Sequence, residues 1–278
     1  MRFAATVVLW LATTVALAAA IPAAWAQKNV IDVDGYAALA QKAAGDPALQ
    51  SAMASELATH AMALIAERGY TVDSSLVHGV ASAYTASPSF PLQFAQANRA
   101  AHRWMFTGAD QNAAPWVVDL APMLGDNSFQ QMLNNFHVRV PATVPVPLTV
   151  DVPKTLRPGK LRPLAIWGAW ASIGAAVLTG IGALLTLAAA RGRGKALTSL
   201  GVSALLVGAG GWAAIEVARR YVNDALNHTT GDIRQIADAM VGHGEGSMHQ
   251  WLNLTLAAGG VLVVFGAFVA MLGSLREA

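Results

Sequence analysis

Apolar residues are concentrated in four long runs, and each run is long enough to cross a lipid bilayer. A bilayer-spanning helix needs about 20 apolar residues, and the last three runs contain at most one charged residue each. The runs cover residues 3–26, Leu164–Ala190, Ala196–Ala218 and Trp251–Leu275. This pattern predicts a polytopic membrane protein of the all-α class.

The first run supports two interpretations, and the sequence leaves both open. It ends in AAWAQ, which puts Ala24 and Ala26 at the small-residue positions of a signal-peptidase site. It is also long enough to stay in the membrane as an anchor. Residues 1–26 are therefore either a cleaved signal peptide or the first transmembrane helix.

The apolar runs divide the chain into five parts. The short basic segment ARGRGK, from Ala190 to Lys195, joins the second and third runs into a transmembrane hairpin. The predicted parts are the signal or anchor 1–26, a mainly helical domain 27–163, the hairpin 164–218, a loop with an amphipathic helix 219–250, and a last span with its tail 251–278.

We expect both termini to lie inside a plasma (inner) membrane and the residues 27–163 to lie outside it. A signal-like start commits the following segment to export, and long domains cross the membrane largely regardless of their charge. An aromatic belt at one interface agrees with this orientation. Its predicted members are Trp25, Trp167, Trp170, Trp212 and Trp251.

Helix-start and helix-stop residues predict several helices in the domain 27–163. In GDP, Gly45 ends one helix, Asp46 caps the next, and Pro47 takes its first position. The predicted helices run from a cap at Asp34 to Ala44, from Pro47 to about Arg68, from Asp73 or Ser74 to Pro88, and from Ser89 to Thr107.

Two further stretches differ from this helical pattern. Residues 116–124 are a short apolar stretch, and residues 138–153 are rich in β-branched residues and proline. Because proline cannot donate a backbone hydrogen bond, we expect an extended hairpin or connector rather than a central strand. In the later loop, 233–241 has helical periodicity with an Arg234–Asp238 pair, and GHGEGS at 242–247 predicts a flexible loop.

The stretch from Phe90 to Phe106 carries the most suggestive side chains of the domain. On a helix, Phe90, Phe94, Asn98 and His102 lie on one face, with Arg99 beside them. One interpretation is a polar cluster with a histidine base. The other, which we favour, is a buried packing seam whose polar side chains bond neighbouring backbone.

This stretch resembles the F/W-x-x-A-N-R-x-x-H motif of a widespread family of uncharacterised actinobacterial integral membrane proteins. Similar sequence surrounds Gly45–Ala58 and Val117–Leu124, and the resemblance covers about 32–184. The final segment 219–278 departs from the family pattern. The resemblance implies an exported helical domain and a cell-envelope location, but no activity.

Other candidate sites have simpler explanations. His228, His243, Glu245 and His249 match no closed zinc pattern, so we expect no metal site there. Glu216 is a candidate intramembrane acid, but it lies near the end of its span, where Arg220 at i+4 is available to pair with it.

Four cations precede the second span and favour a negatively charged lipid surface. They are Lys154, Arg157, Lys160 and Arg162. Glycines recur in the later spans, which lets helices pack closely within the chain or against another membrane protein. They include Gly174, Gly180, Gly182, Gly201, Gly208, Gly211, Gly259, Gly260 and Gly266.

Composition narrows the function classes. Only 12% of residues are charged, the net charge is +2, and cysteine is absent, which argues against nucleic-acid binding, disulfides and thiolate chemistry. Serine-nucleophile and phosphate-loop motifs are missing, so we expect neither enzymatic activity nor a cofactor. The sequence favours a non-catalytic accessory subunit of a respiratory, lipid-transport or cell-wall complex, with membrane proteins and anionic phospholipid as partners. The alternative is a lipid-binding or lipid-transport protein with an apolar cavity in the exported domain.

Overall fold

The structure is a computed structural model, and its fold divides the chain into two compact units. It describes residues 2–107, 117–147, 159, 161–190, 192–227, 229 and 231–275. One unit, here called the membrane unit, comprises Met1–Lys28, Ile166–Tyr221 and Glu245–Ala278. The other, here called the helical unit, comprises Asn29–Ala165 and Val222–Gly244.

Long apolar helices build the membrane unit. Within the described residues, four helices are long and apolar enough to cross a membrane, as the four runs predict. They are α1 (Arg2–Ala26), α8 (Arg162–Ala189), α9 (Arg193–Leu226) and α10 (Gly231–Leu275). A short π-helix, Gln27–Ile31, continues α1. The chain is therefore an all-α protein compatible with a multi-pass membrane protein.

Four helices form the first part of the helical unit. They are α2 (Val33–Ala43), α3 (Pro47–Ala66), α4 (Ser74–Thr85) and α5 (Phe90–Thr107). Helix α2 packs on α5, and α3 packs on α4. The GDP prediction is confirmed, because the carboxylate of Asp46 accepts from the Ala48 N–H at 2.8 Å and Pro47 begins α3.

Aspartates also cap the neighbouring helices. Asp73 caps α4 by accepting from the Ser75 N–H, and this backbone hydrogen bond lowers the pKa of Asp73. The predicted cap at Asp34 is wrong, because Asp32 caps α2 through the Gly35 N–H at 2.7 Å. The side chain of Asp34 is instead free to reach another helix.

The second part of the helical unit combines short strands and short helices. Its elements are β1 (Val117–Asp119), α6 (Ala121–Leu124), α7 (Asn127–Asn135) and β2 (Pro145–Pro147). Strands β1 and β2 pair antiparallel, with Val118 opposite Val146. The Asp119 carboxylate accepts from the Ala121 N–H at 2.9 Å and the Val144 N–H at 2.7 Å. The extended hairpin is thus present, and the part of the predicted connector at 148–153 lies outside the described residues.

An aromatic cluster forms the centre of the helical unit. Tyr84 contacts Phe90 and Phe129 edge to face, with ring centroids 5.7 and 5.6 Å apart. Its hydroxyl donates to Oε1 of Gln93 at 2.6 Å, and burial raises the pKa of Tyr84. The cluster joins α4, α5 and α7 into one core.

The interpretation of 242–247 as a flexible loop is wrong. These residues are helical and lie inside α10, which runs without a break from Gly231 to Leu275. Each glycine costs about 1 kcal/mol of helix propensity, but propensity is a weak preference that tertiary contacts override. Here the helix is supported on both sides, by an apolar face at 233–240 and by the apolar run after Trp251.

Candidate functional site

The face of α5 singled out in the sequence is a buried seam of the helical unit. Phe90 and Phe94 are buried, and their ring centroids lie 5.6 Å apart. His102 is only 3% exposed, and its Nε2 lies 2.9 Å from the carbonyl oxygen of Val30. Since a carbonyl only accepts, Nε2 of His102 carries the proton and donates. The histidine thus satisfies a backbone group of the π-helix.

Aromatic rings enclose this histidine. The His102 ring stacks on Phe106 at 4.2 Å and lies 5.2 Å from Tyr36 of α2. The Tyr36 hydroxyl donates to Oδ1 of Asn98 at 3.4 Å, and burial raises the pKa of Tyr36. Asn98 in turn donates to the carbonyl of Phe94 at 2.9 Å, within its own helix.

The remaining charged residue of the motif lies closer to solvent. Nη2 of Arg99 lies 2.8 Å from Oδ1 of Asp34, so the pair links α5 to α2. Both side chains are well exposed, and exposed ion pairs contribute only about 0–1 kcal/mol. Asn98, Arg99 and His102 therefore contact α2, whereas Phe90 packs on Tyr84 of α4, and the imidazole of His102 is shielded from solvent.

Replacing His102 by leucine is expected to destabilise the helical unit by about 1–3 kcal/mol, because the Val30 carbonyl loses its donor. Gln96 lies on the same helix and is exposed, so Gln96→Leu is the matched control. Thermal unfolding followed by circular dichroism should separate the two variants. Equal stability would contradict the structural role of His102.

A second cluster, which the sequence did not predict, lies in the membrane unit. The rings of Trp212 on α9 and His249 on α10 stack 3.8 Å apart at 15°. Trp212 Nε1 also donates to Oδ1 of Asn253 at 3.2 Å. The one-turn spacing of His249 and Asn253 was the available signal, but the partner on α9 was not readable from the sequence.

The same part of α10 contacts the end of α1. Trp25 Nε1 donates to Oγ of Ser247 at 3.2 Å. The ammonium of Lys28 lies 5.9 Å from the ring centroid of Trp251, within the range of a cation–π contact. Trp25, Trp212 and Trp251 thus all contact, or belong to, the stretch 247–253 of α10. Trp167 and Trp170 lie exposed on α8.

Glu216 and Arg220 are both exposed on α9. Among the described residues, no ion pair within 4 Å joins them, whereas the neighbouring Arg219 lies 3.8 Å from Oε2 of Glu245 on α10. The ion pair of Arg219 with Glu245 links this end of α9 to α10. The described contacts assign no role to Glu216.

Helix α1 is held in the membrane unit by specific polar contacts. Trp10 Nε1 donates to the carbonyl of Ser199 at 2.9 Å, and the hydroxyls of Thr14 and Ser203 hydrogen-bond at 2.7 Å. Ser203 is almost fully buried. Removing α1 would take one hydrogen-bond partner from the Ser199 carbonyl and one from the Ser203 hydroxyl, which otherwise bond each other within α9, and losing hydrogen bonds in an apolar environment is costly.

We therefore expect α1 to remain in the mature protein, although residues 24–26 fit a signal-peptidase site. The intact mass of the protein purified from membranes should include residues 2–26. A mature chain that begins at Gln27 would contradict this expectation. Amino-terminal sequencing of the same sample gives an independent reading of the first residue.

Other predicted site residues are only partly described. Lys154, Arg157, Lys160 and His228 lie outside the described residues, and Arg162 begins α8. Over the described part of the chain, no three histidine, aspartate or glutamate side chains are placed to hold a metal ion. An open apolar groove runs along α10. Its lining residues are Ala257, Gly260, Val261, Val264, Phe265 and Phe268.

Comparison of the chain with family models, curated proteins and solved structures finds no match. The resemblance to actinobacterial integral membrane proteins therefore rests only on the motif and the two sequence stretches given above.

Proposed function

We propose that the protein is a non-catalytic accessory subunit of a larger cell-envelope membrane complex. The host complex would belong to respiratory, lipid-transport or cell-wall machinery, as the resemblance to an envelope family implies. In this proposal the protein is a multi-pass plasma-membrane protein with both termini inside. The predicted domain 27–163 lies on the extracytoplasmic side, where it makes further contacts with the complex.

The observation that carries the proposal is the surface of α8. Only 11% of the most apolar 18-residue stretch of α8 is buried, and the buried residues of α8 are Ser172 and Thr186. In the part of the chain that the structure describes, no atom of another helix lies within 4 Å of the Cβ positions of Gly174 and Gly180. A glycine on an exposed transmembrane face lets another helix approach closely.

Packing accounts for the residues of the helical unit that most resemble a catalytic set. Its most enzyme-like side chain, His102, is shielded and donates to a backbone carbonyl. The aromatic cluster around Tyr84 fills the core. These contacts explain the conspicuous residues of the domain by packing.

Site-specific photocrosslinking from α8 tests the subunit proposal. A photoreactive residue at Val177, which is exposed, should form one protein adduct of defined mass in native membranes. The same probe at Thr186, which is buried, is the matched control and should react within the chain. Mass spectrometry of the mildly solubilised complex should identify the same partner at a fixed ratio. Only lipid adducts at Val177, together with purification of the protein alone, would contradict the proposal.

The alternative function is lipid binding, and the groove on α10 favours it. The groove is lined by apolar side chains around Gly260 and has the character of a site for an acyl chain. It differs from the predicted cavity, because it lies on a helix of the membrane unit. Native mass spectrometry should then show retained phospholipid in the wild-type protein and less of it in Gly260→Leu. The predicted anionic-phospholipid contact through residues 154–162 is a separate part of the proposal.

A further inference from the structure

The signal-peptidase motif at the end of α1 is helical in the folded protein. Helix α1 ends at Ala26 and the π-helix begins at Gln27, so the bond that the peptidase would cut lies between two helical segments. Side chains two residues apart share a face in extended chain but not in a helix. Ala24 and Ala26 therefore present their small side chains together only when this segment unwinds.

Two contacts with α10 oppose this unwinding, one on each side of the bond. Trp25, which lies between the two alanines, donates from Nε1 to Oγ of Ser247 at 3.2 Å. The ammonium of Lys28, which follows the bond, lies 5.9 Å from the ring centroid of Trp251. Ser247 and Trp251 are one turn apart, so one face of α10 holds both flanks of the bond.

The helix around the bond has little local support of its own. Pro22 lies inside α1 and has no N–H, so one hydrogen bond of the helical ladder is missing there. The residues after the bond, Gln27–Ile31, have π-helical geometry, which is rare and is frequent at functional sites. The helical state of this segment therefore depends on its tertiary contacts.

The contacts with α10 form late in synthesis, because Ser247 follows Trp25 by 222 residues. At about 5–20 residues per second, a ribosome needs about 10–45 s to cover this distance. Throughout that interval α1 has no α10 to pack on. The apolar run 3–26 is longer than the 7–15 apolar residues of an ordinary signal peptide, so we expect cleavage to be slow and assembly to outrun it.

We propose that the Ala26–Gln27 bond is a conditional signal-peptidase site, which is cut in chains whose α10 has not packed on α1 and is masked in the complete membrane unit. The cut is a hydrolysis: water adds across the amide and leaves a carboxylate on Ala26 and a free amine on Gln27. The chain then loses Trp10 and Thr14, which hydrogen-bond α9. Packing of α10 thus decides whether a chain keeps its first span. The inference goes beyond the proposed subunit role.

Cleavage of the full chain by purified signal peptidase in detergent tests the masking, because both ends of α1 are then accessible whatever the membrane orientation. Ser247→Leu combined with Trp251→Ala removes both α10 contacts and leaves the motif unchanged. Mass spectrometry should find about five- to tenfold more chain beginning at Gln27 than in the wild type, since proteolysis follows the population of the open form. Leu254→Ala, at an exposed position of α10, is the matched control and should equal the wild type.

A second variant, Gly201→Leu, disturbs α10 from its other neighbour, because the added side chain would collide with the backbone of α10. Adding Ala26→Leu to either variant should abolish the product, since leucine favours the helix but is not a small residue. The inference is overturned if neither variant raises cleavage, or if the product persists with Ala26→Leu. Chains that are cut in detergent but stay intact in cells would support the masking and contradict the proposed orientation.

Discussion

Replacing Gly201 by alanine is expected to destabilise the membrane unit by about 1–3 kcal/mol, with larger side chains costing more. A Cβ at Gly201 would lie 2.7 Å from the carbonyl oxygen of Gly259 and 2.7 Å from the backbone nitrogen of Val263. Because both neighbours are backbone atoms of α10, the two helices must separate. That separation would loosen the whole α9–α10 contact.

The same close approach recurs along both helices. An added Cβ would contact the facing helix at less than 3 Å at several glycines. They include Gly194, Gly201 and Gly208 on α9, and Gly259 and Gly266 on α10. The seven-residue spacing on α9 returns each glycine to one face of the helix, so the packing of α9 on α10 depends on a continuous small-residue surface.

Gly260→Ala is the matched control for this prediction. Gly260 also lies in the middle of an apolar helix, but among the described residues no atom of another helix lies within 4 Å of its Cβ position. Alanine is favoured over glycine in helices by about 1 kcal/mol, so this variant should be neutral or slightly stabilised. Thermal unfolding in one detergent compares the variants. Equal stability of Gly201→Ala and Gly260→Ala would contradict the close contact.

Replacing Phe90 by alanine is expected to cost the helical unit about 3–5 kcal/mol. Phe90 is fully buried and contacts the rings of Tyr84 and Phe94. Its removal leaves a cavity at the junction of α4 and α5, where the Tyr84 ring loses an edge-to-face contact. The contacts of Phe90 with Tyr84 and Phe94 therefore stabilise the helical unit.

Leu92→Ala tests the same helix two residues away. Leu92 is 57% exposed, so its truncation should change stability by about 0.5 kcal/mol or less. Denaturant titration followed by circular dichroism measures both variants. If Phe90→Ala were as stable as Leu92→Ala, the seam would have no structural role, and the functional interpretation of this face would regain support.

Local signals explain why most helices could be predicted. Apolar length alone indicates α1, α8, α9 and the later part of α10, since a membrane imposes a minimum length. Asp46 and Asp73 cap α3 and α4 through side-chain hydrogen bonds that involve residues two positions away. Because these contacts join residues that are close in the sequence, they can be predicted without knowing the fold.

Helix α7 was missed although its signals are present. Asp126 caps it through the Ser128 N–H at 3.0 Å, and Phe129, Met132 and Leu133 lie on one buried face. The helix is short, and this apolar pattern lies between two stretches that suggest extended chain. The three glycines at 242–247 misled in the other direction, because the residues beside them, Glu245 and Ser247, contact Arg219 and Trp25, and such long-range partners are not visible in the sequence.

The candidate sites show the same limit. The one-face spacing of Phe90, Phe94 and His102 was readable, because all three lie on α5. The acceptor of His102 is Val30, 72 residues earlier, and the partner of His249 is Trp212 on another helix. Partners that are distant in the sequence depend on how the helices pack, so they cannot be predicted from a single sequence.

Labelling of single cysteines in intact cells tests the central proposal, which is that the predicted domain 27–163 lies outside a membrane crossed by four helices. Ser75→Cys on α4 and Lys195→Cys after the basic turn are both at exposed positions of a chain without cysteine. With a membrane-impermeant maleimide, the account predicts labelling of Ser75→Cys in intact cells and of Lys195→Cys only after permeabilisation. Labelling of Lys195→Cys in intact cells, with Ser75→Cys protected until the cells are opened, would contradict it.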